Sequence, residues 1–141
     1  MDEIQSATSR ALFRAGDMPI SEAMACRVLI VEDDADLREM MAQMLTLEGF
    51  DAETATDGAD ALGKVGAVGP RPHIILLDMM MPRMDGWTFV ERQRSSPAIA
   101  DIPVVVVSAA PVSLLRGLPV AAVLQKPLNF DQLLATLRTH C

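Results

Sequence analysis

Short apolar runs recur along the chain, each stopping at a polar residue, and stretches of helical spacing separate them. Residues 27–31 (RVLIV) are rich in β-branched side chains and predict a buried strand that stops at three successive acids, Glu32, Asp33 and Asp34. Leu37, Met40, Met41, Met44 and Leu45 then recur at i, i+3, i+4, i+7 and i+8, an amphipathic helix whose apolar stripe predicts core packing and which Gly49 ends. Asp36 with Glu39 offers that helix a capping pair, and Asp34 is the alternative cap. Residues 50–55 predict a modest second strand. Asp57 then caps a short helix carrying Ala61, Leu62 and Val65, which ends in the turn-rich 66–72.

The third strand, 73–77, contains four branched apolar residues (IILL) and delivers a single carboxylate, Asp78, to its rim. Pro82, Asp85 and Gly86 behind it are loop chemistry. A helix follows over about 86–95, with Trp87 and Val90 on one face. Residues 104–107 (VVVV) form a fourth buried strand ending at Ser108, and a short helical piece spans 112–116. The fifth strand, 120–124, leads into Gln125, Lys126 and Pro127. Asn129 with Gln132 caps the last helix, whose stripe is Phe130, Leu133, Leu134 and Leu137. Strand and helix thus alternate throughout. That order predicts a parallel sheet with right-handed crossovers and helices on both faces.

Composition narrows the reading. The 141 residues suffice for one domain, and a 50% hydrophobic content suits a packed core. Nineteen acids against 12 bases give a net charge of -7 with no basic run, which argues against direct nucleic-acid binding. No apolar stretch reaches the ~20 residues that span a bilayer, and the N-terminus lacks a secretory core, so a cytoplasmic protein is expected. Cys26 and Cys141 suggest neither a disulfide framework nor a metal set, which fits a reducing compartment. Residues 1–25 form an N-terminal extension, weakly helical or disordered, in which Ile4, Ala7, Ala11, Leu12 and Ala15 fall at helical spacing. A partner contact or a frayed tail suits that weak stripe better than a docking helix does.

The ends of parallel strands share one edge, and ligands of open α/β sheets bind there. That edge gathers Glu32 and Asp33, Asp78, Ser108 and Lys126. Crowded carboxylates raise one another's pKa unless a cation sits among them, and a hard divalent ion, Mg²⁺ above all, suits oxygen donors. A lysine beside them suits a phosphoryl oxygen, and Ser108 can donate to another. Together the set describes acyl-phosphate formation on Asp78.

The residues LIVEDD at 29–34, LLDMMMPRMDGW at 76–87, VVVSAA at 105–110 and QKPL at 125–128 resemble the response-regulator receiver domain of two-component signalling. The resemblance covers 26–141 and implies a flavodoxin-like, CheY-like (βα)5 fold. It implies Asp78 as phosphoacceptor, Asp33 as a direct Mg²⁺ ligand, and Glu32 as its partner acting through water. Met80 would offer the metal its backbone carbonyl. Lys126, before a usually cis Pro127, would pair with Asp78 and then with the phosphoryl group, and Ser108 takes the switch-hydroxyl position. The three-acid run leaves Asp33 with Asp34 as the alternative pair, less favoured because the family's acids directly follow the strand. The partners implied are a sensor histidine kinase or histidine phosphotransfer protein and a downstream protein target. Such a chain accepts phosphate and is not a turnover enzyme.

Two departures stand out. Val123 occupies the position where receivers commonly carry an aromatic switch residue. Ser108 and Lys126 are closer in sequence than the common pattern by roughly one helical turn, and Pro111, Gly117 and Pro119 crowd the gap. A shortened or irregular fourth helix and an altered partner surface are expected. Met80 and Ala110, two positions after Asp78 and Ser108, are apolar, which predicts slow hydrolysis of the acyl phosphate. The competing reading is an interaction scaffold that signals without phosphate. An aspartyl phosphatase is disfavoured, because Met80 stands where its second acid belongs.

Overall fold

The computed structural model describes residues 25–66 and 70–141. The expectations for the N-terminal extension lie outside the described residues, apart from Ala25. The chain alternates β1 (Arg27–Val31), α1 (Ala35–Leu47), β2 (Asp51–Ala55), α2 (Gly58–Val65) and β3 (Ile74–Asp78). It continues with α3 (Gly86–Arg94), β4 (Val104–Ser108), α4 (Val112–Leu115), β5 (Ala122–Gln125) and α5 (Phe130–His140). All strand pairs are parallel, in the order β2-β1-β3-β4-β5. This is the doubly wound sheet that the alternating pattern predicts.

The sheet is buried on both faces, and each central strand divides its side chains between two layers. Leu29 and Val31 of β1, Ile75 and Leu77 of β3, and Val104 and Val106 of β4 pack with Ala61 and Val65 of α2, Phe89 and Val90 of α3, and Leu115 of α4. The alternate residues Val28, Ile30, Ile74, Leu76, Val105 and Val107 pack with Met41 and Leu45 of α1 and Leu133, Leu134 and Leu137 of α5. Full burial of such side chains stabilises by about 1.5–3 kcal/mol each. The continuous apolar strands of the sequence follow from this two-sided burial.

Side-chain caps fix where the helices start. Asp34 caps α1 by accepting from the backbone N–H groups of Asp36 and Leu37, Asp57 caps α2, Asp85 caps α3 and Asn129 caps α5. Each such cap is worth about 1 kcal/mol. The Asp36–Glu39 alternative is not used, because the Asp34 carboxylate already serves the first turn. Helix α4 is the exception: Pro111 precedes it and supplies no side-chain cap, and the helix is four residues long. Gly117 follows at φ 83°, and the shortened fourth helix expected from the sequence is present.

Some expectations need correction. Cys26 and Cys141 are paired as a disulfide, with Cα atoms 5.9 Å apart and the two residues 115 positions apart in sequence. The start of β1 and the end of α5 meet because α5 packs back across the sheet against β1 and β3, a proximity that sequence spacing hides. Met40 is exposed, so the α1 methionine stripe is core packing only at Met41 and, partly, Met44. Strand β5 starts at Ala122, because Val120 donates its N–H to the Leu118 carbonyl in a turn. Among the described residues no helix is long and apolar enough to cross a membrane.

Candidate functional site

The strand order sets β1 beside β3 and β3 beside β4, so their carboxyl ends form one rim. Glu32, Asp33 and Asp78 converge there, each offering a carboxylate oxygen within 4.8 Å of the others. Glu32 is 2% and Asp78 5% exposed, whereas Asp33 faces solvent. Asp34, the alternative member of the acid pair, is committed to the α1 cap, at 3.0 Å from Asp36 N and 3.1 Å from Leu37 N.

Lys126 enters from the end of β5, its Nζ 3.4 Å from Glu32 Oε1 and 3.8 Å from Asp78 Oδ1. Its backbone N–H donates to the Ser108 carbonyl at 3.0 Å, and the bond to Pro127 is cis. Ser108 is fully buried one step beyond Val107, the β4 partner of Asp78, and its Oγ accepts from Ala110 N at 3.0 Å. Met80 donates its N–H to Asp78 Oδ1 at 3.2 Å, and its side chain stands 59% exposed.

One lysine does not balance three acids. Burial, then the Asp78 charge, pushes the Glu32 carboxyl up to about 7, against the opposing pull of the Asp34 N–H and Lys126. Three carboxylates gathered within 4.8 Å of one another are the oxygen donors that a hard divalent ion accepts, so the residues present fit Mg²⁺.

The loop from Asp78 to α3 has its own anchors. Met79 and Met81 are buried beneath it, and Gly86 donates its N–H to the Met79 carbonyl at 2.9 Å. A Cβ on Gly86 would lie 2.7 Å from Met79 Cα, so only glycine permits this approach. Arg83 has φ 64° and is the one non-glycine residue with positive φ among the described residues. That conformation costs about 1–2 kcal/mol for an L-residue. Its guanidinium pairs with the Asp57 carboxylate, which also caps α2. The Asp60 backbone N–H, then Arg83, holds the Asp57 carboxyl below its ordinary value. The sequence marks Asp57 as a cap and gives no sign of its pairing with Arg83, since the two stand in different loops.

The family model for the response regulator receiver domain matches residues 28–138. The chain belongs to this family. Response regulator MprA of Mycobacterium bovis is 35% identical over 119 residues, covering 82% of this chain and 50% of MprA. The DNA-binding dual master transcriptional regulator RpaA of Synechocystis is 34% identical over 116 residues, covering 79% of this chain and 47% of RpaA. This receiver therefore spans about half the length of the curated relatives it matches. Among solved structures, the Vibrio cholerae chemotaxis protein CheY4 superposes with a TM-score of 0.74 at 30% identity, covering 83% of this chain and 99% of CheY4. A response regulator receiver protein from Pseudomonas putida gives 0.75 at 26% identity, covering 82% and 97%. The family bears out the resemblance carried by the strand-end motifs, and the receiver's parallel sheet with helices on both faces is the fold of these neighbours.

Proposed function

We propose that this receiver accepts a phosphoryl group from a phosphohistidine onto Asp78 and signals through a protein contact that changes with phosphorylation. The observation that carries the reading is Lys126 Nζ seated against two buried carboxylates, 3.4 Å from Glu32 Oε1 and 3.8 Å from Asp78 Oδ1. A carboxylate oxygen of Asp78 attacks phosphorus in line, an O–P bond forms, and the N–P bond to the donor imidazole breaks. Lys126 offsets charge on the phosphoryl oxygens and Ser108 donates its hydroxyl to one of them. Glu32, Asp33, Asp78 and the Met80 carbonyl would hold Mg²⁺, which when bound neutralises the same oxygens. Water later hydrolyses the acyl phosphate. Apolar side chains at Met80 and Ala110 give that water no hydrogen-bonding partner, so the phosphate is long-lived.

The donor is a sensor histidine kinase or histidine phosphotransfer protein, and the output is a downstream protein target. The receiver is an acceptor and not a turnover enzyme. Residues 26–141 carry this activity and residues 1–25 are an extension to it. A second reading, a scaffold that keeps the fold and signals without phosphate, draws on Val123 and the four-residue α4.

Incubation with radiolabelled acetyl phosphate and Mg²⁺ separates the two. Wild-type protein takes stable label and Asp78→Asn takes none. Equal labelling of the variant overturns the assignment of Asp78, and an unlabelled wild type favours the scaffold.

A further inference from the structure

We infer that Arg83 and Asp57 form a latch between the α2 N-terminus and the β3–α3 loop. The latch restrains the Met80 peptide, whose carbonyl would be offered to a cation held by Glu32, Asp33 and Asp78. Arg83 is thus a positioning residue acting through the loop, an inference that rests on the phosphoacceptor reading above.

Met80 cannot position itself. Its side chain is 59% exposed and its N–H is committed to Asp78 Oδ1, so neighbouring residues must orient its carbonyl. On the near side the restraint is Met79, fully buried and bonded through its carbonyl to Gly86 N. On the far side lies a tight turn in which Met84 N–H donates to the Pro82 carbonyl at 2.7 Å with Arg83 at φ 64°. A turn that places an arginine in the left-handed region persists only where something holds it.

Two contacts do so, and both go to the start of α2. The Arg83 guanidinium, on a side chain 73% exposed, folds back onto Asp57 rather than extending into water. Asp57 is 4% exposed and already accepts from Asp60 N at 2.8 Å, so its buried charge needs the counter-charge that Arg83 brings. Beside it, Met84 fills the space over Gly58, where a Cβ would come within 2.9 Å of Met84 Cγ and Sδ. Charge pair and apolar contact therefore clamp the same turn to the same helix end. Groups behind a metal's direct donors fix how those donors point, and the latch stands in that relation to the Met80 carbonyl.

Three variants test the latch. Arg83→Gly removes the side chain while leaving a residue at ease with positive φ. Arg83→Lys keeps the charge without the planar fork. Asp57→Asn keeps the α2 cap, since asparagine caps about as well as aspartate. Mg²⁺ binding is followed by the fluorescence of Trp87, the single tryptophan, next to Gly86 at the end of the loop. Labelling by acetyl phosphate is measured across Mg²⁺ concentrations.

In Arg83→Gly and Asp57→Asn the Mg²⁺ dissociation constant rises about tenfold. The labelling rate at saturating Mg²⁺ stays within about twofold of wild type. Arg83→Lys lies between, and the Arg83→Gly/Asp57→Asn pair is no worse than the weaker single variant. Mg²⁺ affinity unchanged within about twofold in both single variants overturns the latch. So does a loss in Arg83→Gly alone, because the pair would then not act as a unit. Circular dichroism identifies folded variants, and the conservative two carry the test should Arg83→Gly unfold. A wild type that binds Mg²⁺ but takes no label, with the two variants binding Mg²⁺ more weakly as described, overturns the phosphoacceptor reading and supports the latch. A wild type that binds no Mg²⁺ overturns both.

Discussion

The rim at the ends of β1 and β3 and the connection from β4 to β5 are built on opposite plans. At the rim, Glu32 and Asp78 stand at the ends of strands packed on both faces, and they and Ser108 are themselves buried. In the connection, α4 is a single turn in which Leu115 alone is buried, while Val112 and Leu114 face solvent. Pro111 starts the turn without a side-chain cap and Gly117 leaves it at positive φ. Position at the ends of β1 and β3 is dictated by the core; the connection is held at Ala110 and Leu115, with Leu118 and Val120 packed only partly against the core. The two regions can therefore vary separately in this receiver.

Three measurements press on that contrast. Leu77→Ala removes a fully buried side chain immediately before Asp78 and should cost about 3 kcal/mol in urea unfolding. A loss under about 1 kcal/mol would mean the rim is not set by the core.

A smaller effect comes from Glu32. Its folded pKa lies above the unfolded 4.5, at about 7, so the folded state holds that proton more tightly. The stability it contributes is complete below about 4.5 and is lost as pH rises through about 7 in metal-free protein. Between about pH 5 and about pH 8 wild type should therefore lose stability relative to Glu32→Gln, and saturating Mg²⁺ should remove that difference. An unchanged gap without Mg²⁺ would show that the Glu32 carboxyl is not short of positive charge. Asp57 has the opposite sign: its contribution is present above 3.8 and is lost as pH falls through its depressed value.

The smallest change is expected at Leu114→Ser. This exposed α4 substitution should shift stability by less than about 0.5 kcal/mol and leave labelling of Asp78 at the wild-type rate. A labelling rate changed severalfold would join the two regions that the packing keeps apart.

What the sequence makes legible is what local patterning encodes. The apolar runs before Glu32, Asp78 and Ser108 mark strands because each must be buried on both faces, and the acids that end β1 and β3 mark the rim. The caps at Asp57 and Asn129 read directly, since capping is a matter of a few neighbouring residues. Contacts between distant segments do not read this way. Arg83 with Asp57, and Cys26 with Cys141, are joined only by the folded geometry. Phe89 is the largest fully buried side chain of α3, yet Trp87 and Val90 dominate the visible stripe because periodicity ranks faces and not depth. Met40 erred in the other direction: one helical stripe is wider than the strip of core it covers.

The two-sided burial of β3 has a further consequence for insertions and deletions. Each step along 74–77 turns to the opposite layer, Ile74 and Leu76 toward α1 and α5, Ile75 and Leu77 toward α2 and α3. Losing one residue there would exchange the layers and draw Asp78 back from the rim by one step of about 3.3 Å. The strand thus acts as a ruler. Its side chains are exchangeable among apolar residues of like volume, but its count of residues is not.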